Sequence, residues 1–389
     1  VYLSQLRLLC FRIYQEASLE LLPGVNLVLG KNGQGKTSLL EAISTLALMR
    51  SPRSGSLGDC AAWGEQRMGV AGHLLDKGGE TDMELRAERQ PESDRWVRRL
   101  RQGGEAVQPR QLLGRFRVVL FWPEDLLLVK GGPEPRRRLL DVVLSQLSSK
   151  YSESTGRYRR ALVHRNALLH RVRDGLATRE ELRPWTEALV EHGAAVMTER
   201  KRYLATVEPV AAEAALRIGE VAEFQLRYRP GLGKALPGGE IGEPADALRR
   251  ALERSAAEEL ARAQCVVGPH RDDFEILLGG QPARQFASQG QQRTVVLALK
   301  VAEVRQHLSI GGETPLLLLD DVFSELDRDR RAGLIKLLSE ELAVEQTLIT
   351  ATEDPEIGTE VPIAQTLRVL GGSISQLLQP DQELAQWRA

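Results

Sequence analysis

Apolar and polar positions change period several times along this chain. The first thirty positions carry short alternating runs, "YLSQLRLLCFRIY" and "ASLELL", then "VNLVLG" after a Pro23-Gly24 turn. Period-two runs bounded by turn residues predict three strands, the last of them buried. The spacing then becomes helical in the apolar run that starts at Lys36. Between residues 51 and 130, "MGVAGHLL", "DMELRAER" and "WVRRLRQGG" predict antiparallel strands joined by glycine-rich turns, and "RVVLFWPEDLLLVKG" predicts a further apolar strand.

Near Pro135 the character changes again. "RRRLLDVVLSQLSSKYSESTGRYRRALVHRNALLHRV" has apolar residues at helical spacing and no proline. A second helical stretch, residues 178–218, follows the "RDGLAT" break. "EFQLRYRPG" predicts a strand, "LGKALPGGEIGEP" a loop and "ADALRRALERSAAEELARA" an amphipathic helix. The heptads are too few and irregular for a long coiled coil. From "CVVGPHRDDFEILLGGQ" strands return. They are followed by a long helix in "FASQGQQRTVVLALKVAEVRQHL", a strand with an acidic end in "TPLLLLDDVFSELD", a helix in "RDRRAGLIKLLSEEL", and strands in "EQTLITAT" and "TLRVLGGSISQ". Strands alternating with helices predict an α/β fold with a mixed sheet. Its head spans residues 1–134 and 262–389, and a mainly helical arm, 135–261, is inserted between them.

Composition adds mostly exclusions. The chain has 389 residues, 42% of them hydrophobic and 27% charged, enough for two or three domains with a full core. A net charge of −1 supplies no global field for DNA or acidic lipid, so any anion-binding surface is a local patch. Cys10, Cys60 and Cys265 form no Cys-x-x-Cys pair, and the six histidines lack ligand spacing. A reducing, cytoplasmic setting without structural zinc is the expectation. Arg7, Arg12 and Glu16 interrupt any leader-like pattern, and "PLLLLD" is far too short to span a bilayer.

The first candidate chemistry lies at "GKNGQGKTS", Gly30, Lys31, Asn32, Gly33, Gln34, Gly35, Lys36, Thr37 and Ser38. Gly-x-x-x-x-Gly-Lys-Thr between a strand and a helix is the phosphate-binding P-loop pattern. Glycines let backbone N–H groups approach phosphate oxygens, and the helix adds its positive end to the same anion. Lys36 is expected to contact the outer phosphates of a nucleotide such as ATP, and Thr37 to hold Mg²⁺.

Two further segments complete the pattern. "LLLLDD" reads as a parallel strand buried on both faces whose end meets the ligand crevice. Asp320 would reach the Mg²⁺ held by Thr37, and Asp321 would orient or deprotonate an attacking water. In "SQGQQ", Ser288, Gln289, Gly290, Gln291 and Gln292, a serine with glutamine three residues on is a capping box opening a helix. With its own P-loop already serving the chain's nucleotide, this second helix start would face one bound to another subunit. Taken alone, the same pattern describes an ordinary capped helix.

Together these pieces resemble the ABC-type ATPase head, in which two heads sandwich two nucleotides. By that resemblance Ser288–Gln292 is the signature acting in trans, and "SELD", ending at Asp327, is the D-loop. The inserted arm resembles the subset with DNA-associated arms, in a shorter form. "GVNLVLGKNGQGKTSLLEAI", "FWPEDLLLVKGGPEPRRRLLD", "GPHRDDFEILLGG", "FASQGQQRTVVLALKVAE" and "LLLLDDVFSELD" come in the order of the RecF family of bacterial recombination mediators, and the resemblance covers the head end to end. It implies an ATP-dependent DNA-binding dimer, a weak DNA-stimulated ATPase, acting with RecR and RecO at single-strand gaps to help RecA load. Both duplex and single-strand/duplex junction DNA would be bound.

Some positions depart from the broad pattern. Asp321 stands where many such ATPases carry glutamate, Thr350 and Thr352 stand near the usual switch histidine, and Ser38 replaces an asparagine. Glu124 and Asp125 stand where a Q-loop glutamine is usual. These changes suggest slow turnover. For DNA phosphates the candidates are Arg136, Arg137, Arg138, Arg159 and Arg160, with Arg157, Arg165, Arg171 and Arg173 in the same region. "GPHRDD" could be a polar turn or a coupling element. Two other functions fit the P-loop: the ATP-binding subunit of a membrane transporter, and a structural DNA clamp with incidental hydrolysis. The signature run and the long insertion argue against the transporter.

Overall fold

The computed structural model describes residues 1–76, 79–233, 242–311, 314–338, 344–354 and 361–377. Most of the expected loop 232–244 and the end of the helix expected over 328–342 lie outside the described residues. The chain divides into two units. One comprises Val1–Asp125, Glu213–Glu220 and Arg293–Ala389, the other Leu126–Ala212 and Val221–Gln292.

The first unit contains two six-stranded sheets. In the first sheet, strands Tyr14–Glu20, Tyr2–Phe11, Arg67–Asp76, Gly79–Arg89, Trp96–Gln102 and Glu105–Ala106 pair in that order, each antiparallel to its neighbour. The second sheet runs Ser373–Leu377, Ile363–Leu370, Gly24–Leu29, Gln346–Ala351, Leu316–Asp320 and Val118–Phe121. Its inner pairs are parallel and Ser373–Leu377 closes one edge antiparallel. Central parallel strands are covered on both faces, which is why Leu316–Asp320 and Gln346–Ala351 are buried at every position.

Helix Lys36–Leu48 contacts strands of both sheets. Its Leu39, Leu40, Ile43 and Leu46 join Leu6, Val70 and Leu85 of one sheet and Val28, Leu318 and Leu348 of the other in a single core. Glycine permits that approach at position 72. A Cβ there would lie 2.6 Å from a Leu3 methyl and 2.8 Å from one of Leu46.

The second unit is mainly helical. Helices Pro133–Leu147, Ser149–Arg173 and Pro244–Arg262 and most of Arg183–Arg217 pack beside the strands Phe224–Arg229, Asp273–Leu278 and Gln281–Pro282. The stretch of helical spacing over 136–172 is helical, divided into two helices. Ser148 is extended and its hydroxyl accepts the Tyr151 N–H at 3.1 Å, so the second helix starts on its own cap. The long apolar strand expected over 117–131 is also shorter, ending at Phe121. Pro123 has no N–H for the ladder and Asp125 accepts the Trp122 N–H at 3.2 Å, turning the chain into a 3₁₀ turn and a short helix, Leu127–Lys130.

Candidate functional site

Strand Gly24–Leu29 ends at the sheet's carboxyl edge, and the Gly30–Thr37 loop leads from it into helix Lys36–Leu48. Gly35 is the tightest point of that loop. Its φ of 118° suits only glycine, and a Cβ would lie 2.8 Å from the Tyr14 hydroxyl, which donates to Gly35 O at 3.0 Å. Lys36 is nearly buried, and its ammonium donates to the loop carbonyls of Gly30 and Lys31. An anion entering the loop would offer that ammonium stronger acceptors than neutral carbonyls.

Next to the loop is Asp320, at the end of the buried strand Leu316–Asp320. Thr37 Oγ1 donates to its Oδ2 at 2.7 Å, and Thr350 Oγ1 donates to its Oδ1 at 2.6 Å. Burial pushes the Asp320 carboxyl above the usual range, while the two hydroxyls pull it back. Asp321 is left-handed at φ 52°. Its N–H meets Thr350 O and Oγ1, each at 3.1 Å. Lys36, Thr37, Ser38, Asp320 and Asp321 all line one open cavity of about 350 Å³. A P-loop ammonium, a hydroxyl and two carboxylates in one cavity can hold a phosphorylated anion with a hard cation.

Other residues border the same cavity without having been singled out in the sequence. Ile13 and Arg53 line it. Glu41, fully buried in the P-loop helix, receives Arg12 at 2.9 and 2.7 Å and the Ser51 hydroxyl at 2.6 Å. Arg53 lies 3.8 Å from both Glu41 and Glu124. The one signal for Glu41 was a lone acid inside the apolar run "SLLEAI"; Ile13 and Arg53 had none. Thr352 donates to Asn32 at 3.3 Å, and Gln34 accepts the Gly371 N–H at 2.6 Å, so both loop side chains are anchored. Of the Glu124/Asp125 pair, Asp125 is committed elsewhere: it is buried, 3.7 Å from Lys300, which also meets Glu303 at 3.2 Å.

The capping box forms as the spacing predicts. Ser288 N–H donates to Gln291 Oε1 at 2.9 Å, and Gln291 N–H donates to Ser288 Oγ at 3.3 Å. Ser288 and Gln289 are exposed at the start of helix Gln289–Gly311, and Gln292 turns back to donate to Ala287 O at 2.8 Å. Asp327 caps helix Arg328–Lys336 through the Arg330 N–H at 2.9 Å.

The arginine set needs correction. Arg136 is buried: its guanidinium grips Asp273 at 2.6 and 2.9 Å and donates to Leu128 O at 2.8 Å. Arg165 is likewise buried against Glu259 at 2.7 Å and Cys265 Sγ at 2.8 Å. Both serve the interior of the helical unit rather than a phosphate backbone. Arg137 is half-buried on Asp272 O at 2.9 Å. Arg138, Arg159 and Arg160 are exposed, and Arg159 is paired with Asp141 at 2.8 Å. "GPHRDD" is a buried hub of the same unit. Asp272 accepts from Arg200 and the Gly231 N–H at 2.9 and 2.7 Å and from the Tyr228 hydroxyl, and His270 meets the Tyr158 hydroxyl at 2.6 Å. Among the described residues no helix is long and apolar enough to cross a membrane.

Comparison with known proteins follows this geometry. The RecF/RecN/SMC N-terminal domain family matches residues 2–362. The chain is 37% identical over 366 residues to the DNA replication and repair protein RecF of Lactobacillus delbrueckii subsp. bulgaricus, with 93% of each chain covered. It is 38% identical over 351 residues to the RecF of Moorella thermoacetica, covering 90% of each. Among solved structures, it superposes on the recombination mediator protein RecF-ATP of the RecFOR pathway with a TM-score of 0.87 at 30% identity, over 97% of this chain and 98% of that one. An SMC head bound to the C-terminal winged-helix domain of ScpA shares the fold alone, with a TM-score of 0.56 at 13% identity.

Proposed function

The chain belongs to the RecF family of DNA replication and repair proteins, and from that membership we propose that it is an ATP-dependent, DNA-binding recombination mediator. The observation that carries this reading is the pair Thr37 Oγ1 and Asp320 Oδ2, 2.7 Å apart in the P-loop cavity. Two hard oxygens at that spacing suit Mg²⁺ beside a nucleotide triphosphate, where the cation would neutralise charge on the outer phosphates. Lys36 and the backbone of Gly30–Ser38 would bind the phosphates. Asp321 would orient or deprotonate the attacking water, giving a weak, DNA-stimulated ATPase.

ATP would join two copies, each Ser288–Gln292 segment meeting the phosphates held by the other, with Asp327 at the same junction. The paired copies would bind duplex DNA and single-strand/duplex junctions at gaps, with Arg138, Arg159 and Arg160 the remaining candidates for phosphate contact. By family resemblance RecR and RecO are partners, RecA loading is the output, and the setting is the cytoplasm. Head and arm in this reading correspond to 1–134 with 262–389 and to 135–261. The transporter reading does not fit a chain of this family. A clamp with incidental hydrolysis differs from the proposal only in what turnover achieves.

Anisotropy of a labelled duplex, titrated with protein in ATP·Mg²⁺ or in ADP, tests the proposal. Two arginine surfaces joined by closure should bind ~10²–10⁴ more tightly than one. Affinity should fall steeply with salt, since counterion release supplies much of the free energy. Equal affinity with either nucleotide would remove the clamp. Absence of DNA binding at low salt would remove the repair assignment.

A further inference from the structure

One side chain ties the Ser324–Asp327 turn, which an ATP-joined dimer would present to its partner, to helix Gln289–Gly311. Asp327 Oδ1 accepts the Arg330 N–H at 2.9 Å, and Asp327 Oδ2 pairs with the Arg330 guanidinium. The same guanidinium turns its Nε inward and donates to Thr294 Oγ1 at 3.0 Å. Thr294 is fully buried in the second turn of helix Gln289–Gly311, the helix that Ser288 caps. Arg331, the next residue, lies over the Phe323 ring at 5.7 Å and holds the other side of the turn. Arg330 therefore reaches from an exposed carboxylate to a buried hydroxyl. Only a guanidinium can do this, because its planar fork offers Nε and Nη along different directions while an ammonium offers one point charge.

We propose that Arg330 is a positioning residue that holds the Ser324–Asp327 turn in register with the second turn of helix Gln289–Gly311, so that the turn meets a partner's nucleotide in a fixed place. This rests on the ATP-joined dimer proposed above. The residue does not line its own chain's P-loop cavity, so its loss is felt in association and not in nucleotide binding by the monomer.

Light-scattering titrations in ATP·Mg²⁺ test it. Arg330→Lys and Thr294→Val should each weaken self-association about tenfold, because a misplaced turn is felt in the paired state. The double variant should be no weaker than either single one, because both remove the same bond. Thr294→Ser, which keeps the hydroxyl, should associate like the parent. ATP affinity at monomer concentrations should be unchanged throughout, and the melting temperature should fall by no more than the few degrees that one lost intrachain hydrogen bond costs. Ser288→Arg is measured alongside. If it abolishes association while Arg330→Lys and Thr294→Val associate normally, the register role is overturned and the dimer reading stands. If Ser288→Arg also associates normally, both readings fall. A drop in melting temperature that accounts for the weakened association in Arg330→Lys and Thr294→Val would make the contact purely structural and overturn the proposal.

Discussion

Lys36 and Asp321 border the same cavity and should fail differently when changed. Lys36→Ala deletes a ground-state contact, so calorimetry should find nucleotide binding lost. Asp321→Asn keeps the shape and removes the carboxylate proposed above to handle water. Binding should persist while phosphate release slows ~10²–10⁴-fold. Normal turnover in that variant would mean Asp321 has another role. Arg136 makes the opposite prediction. With its guanidinium buried on Asp273, Arg136→Ala removes a bidentate pair from a carboxylate that is partly exposed and still accepts the Phe274 N–H, and should cost ~1.5–3 kcal/mol in urea unfolding. Arg160→Ala, on an exposed side chain, should leave unfolding unchanged. These cases mark what was legible at this scale. The Gly30–Thr37 spacing and the Asp320 strand end are local patterns with a fixed chemical reason, so they could be read. Whether an arginine faces water or an acid 137 positions away cannot be read from its neighbours in sequence.

At the scale of elements, long periodic segments were readable and their ends were not. The strands over residues 1–30 and the P-loop helix follow the apolar period closely. The strand expected over 117–131 failed because "VVLF" and "LLLV" are both apolar runs, while the break between them comes from one proline and one carboxylate. The break inside the helical stretch 136–172 was hidden for a similar reason: a serine that caps is indistinguishable in period from a serine on a helix face. The cap should be measurable. Ser148→Ala removes the acceptor for the Tyr151 N–H and should lower the unfolding free energy by ~1 kcal/mol with no loss of helical signal in the native state. An unchanged urea midpoint would mean that packing, not the cap, fixes the start of that helix.

For the molecule as a whole, the first expectation is that ATP·Mg²⁺, and not ADP, doubles the scattering mass at micromolar protein. A monomer under both conditions would remove the paired-head reading. The second concerns acid. Burial depresses His270 to about 4 and His307 to about 3, against an ordinary value of 6.5. The unfolded chain therefore takes up protons below 6.5 that the folded chain refuses. The stability contributed by keeping each ring neutral is complete above 6.5 and is lost as pH falls toward the folded value. Each ring should account for ~1.4 kcal/mol per pH unit inside that window. Urea unfolding across it should show the slope, and His307→Leu should make it shallower. A slope unchanged by that substitution would mean His307 is not the group that resists protonation.

The strand that feeds the P-loop also has a consequence in time. Gly24–Leu29 is held between Gln346–Ala351 and Ile363–Leu370, and Thr37 meets Asp320 across 283 positions. During synthesis the front of the sheet emerges first and waits, unpaired, for strands made more than 300 positions later. At ~5–20 residues per second that interval is tens of seconds. The helical segment in between can fold during it, but nucleotide cannot serve as a ligand for the nascent chain until those later strands have emerged. Ribosome-bound chains stalled before residue 344 should remain open to protease in residues 1–50 whether or not ATP is present. Stalling late enough to expose residue 370 should bring protection and nucleotide binding together.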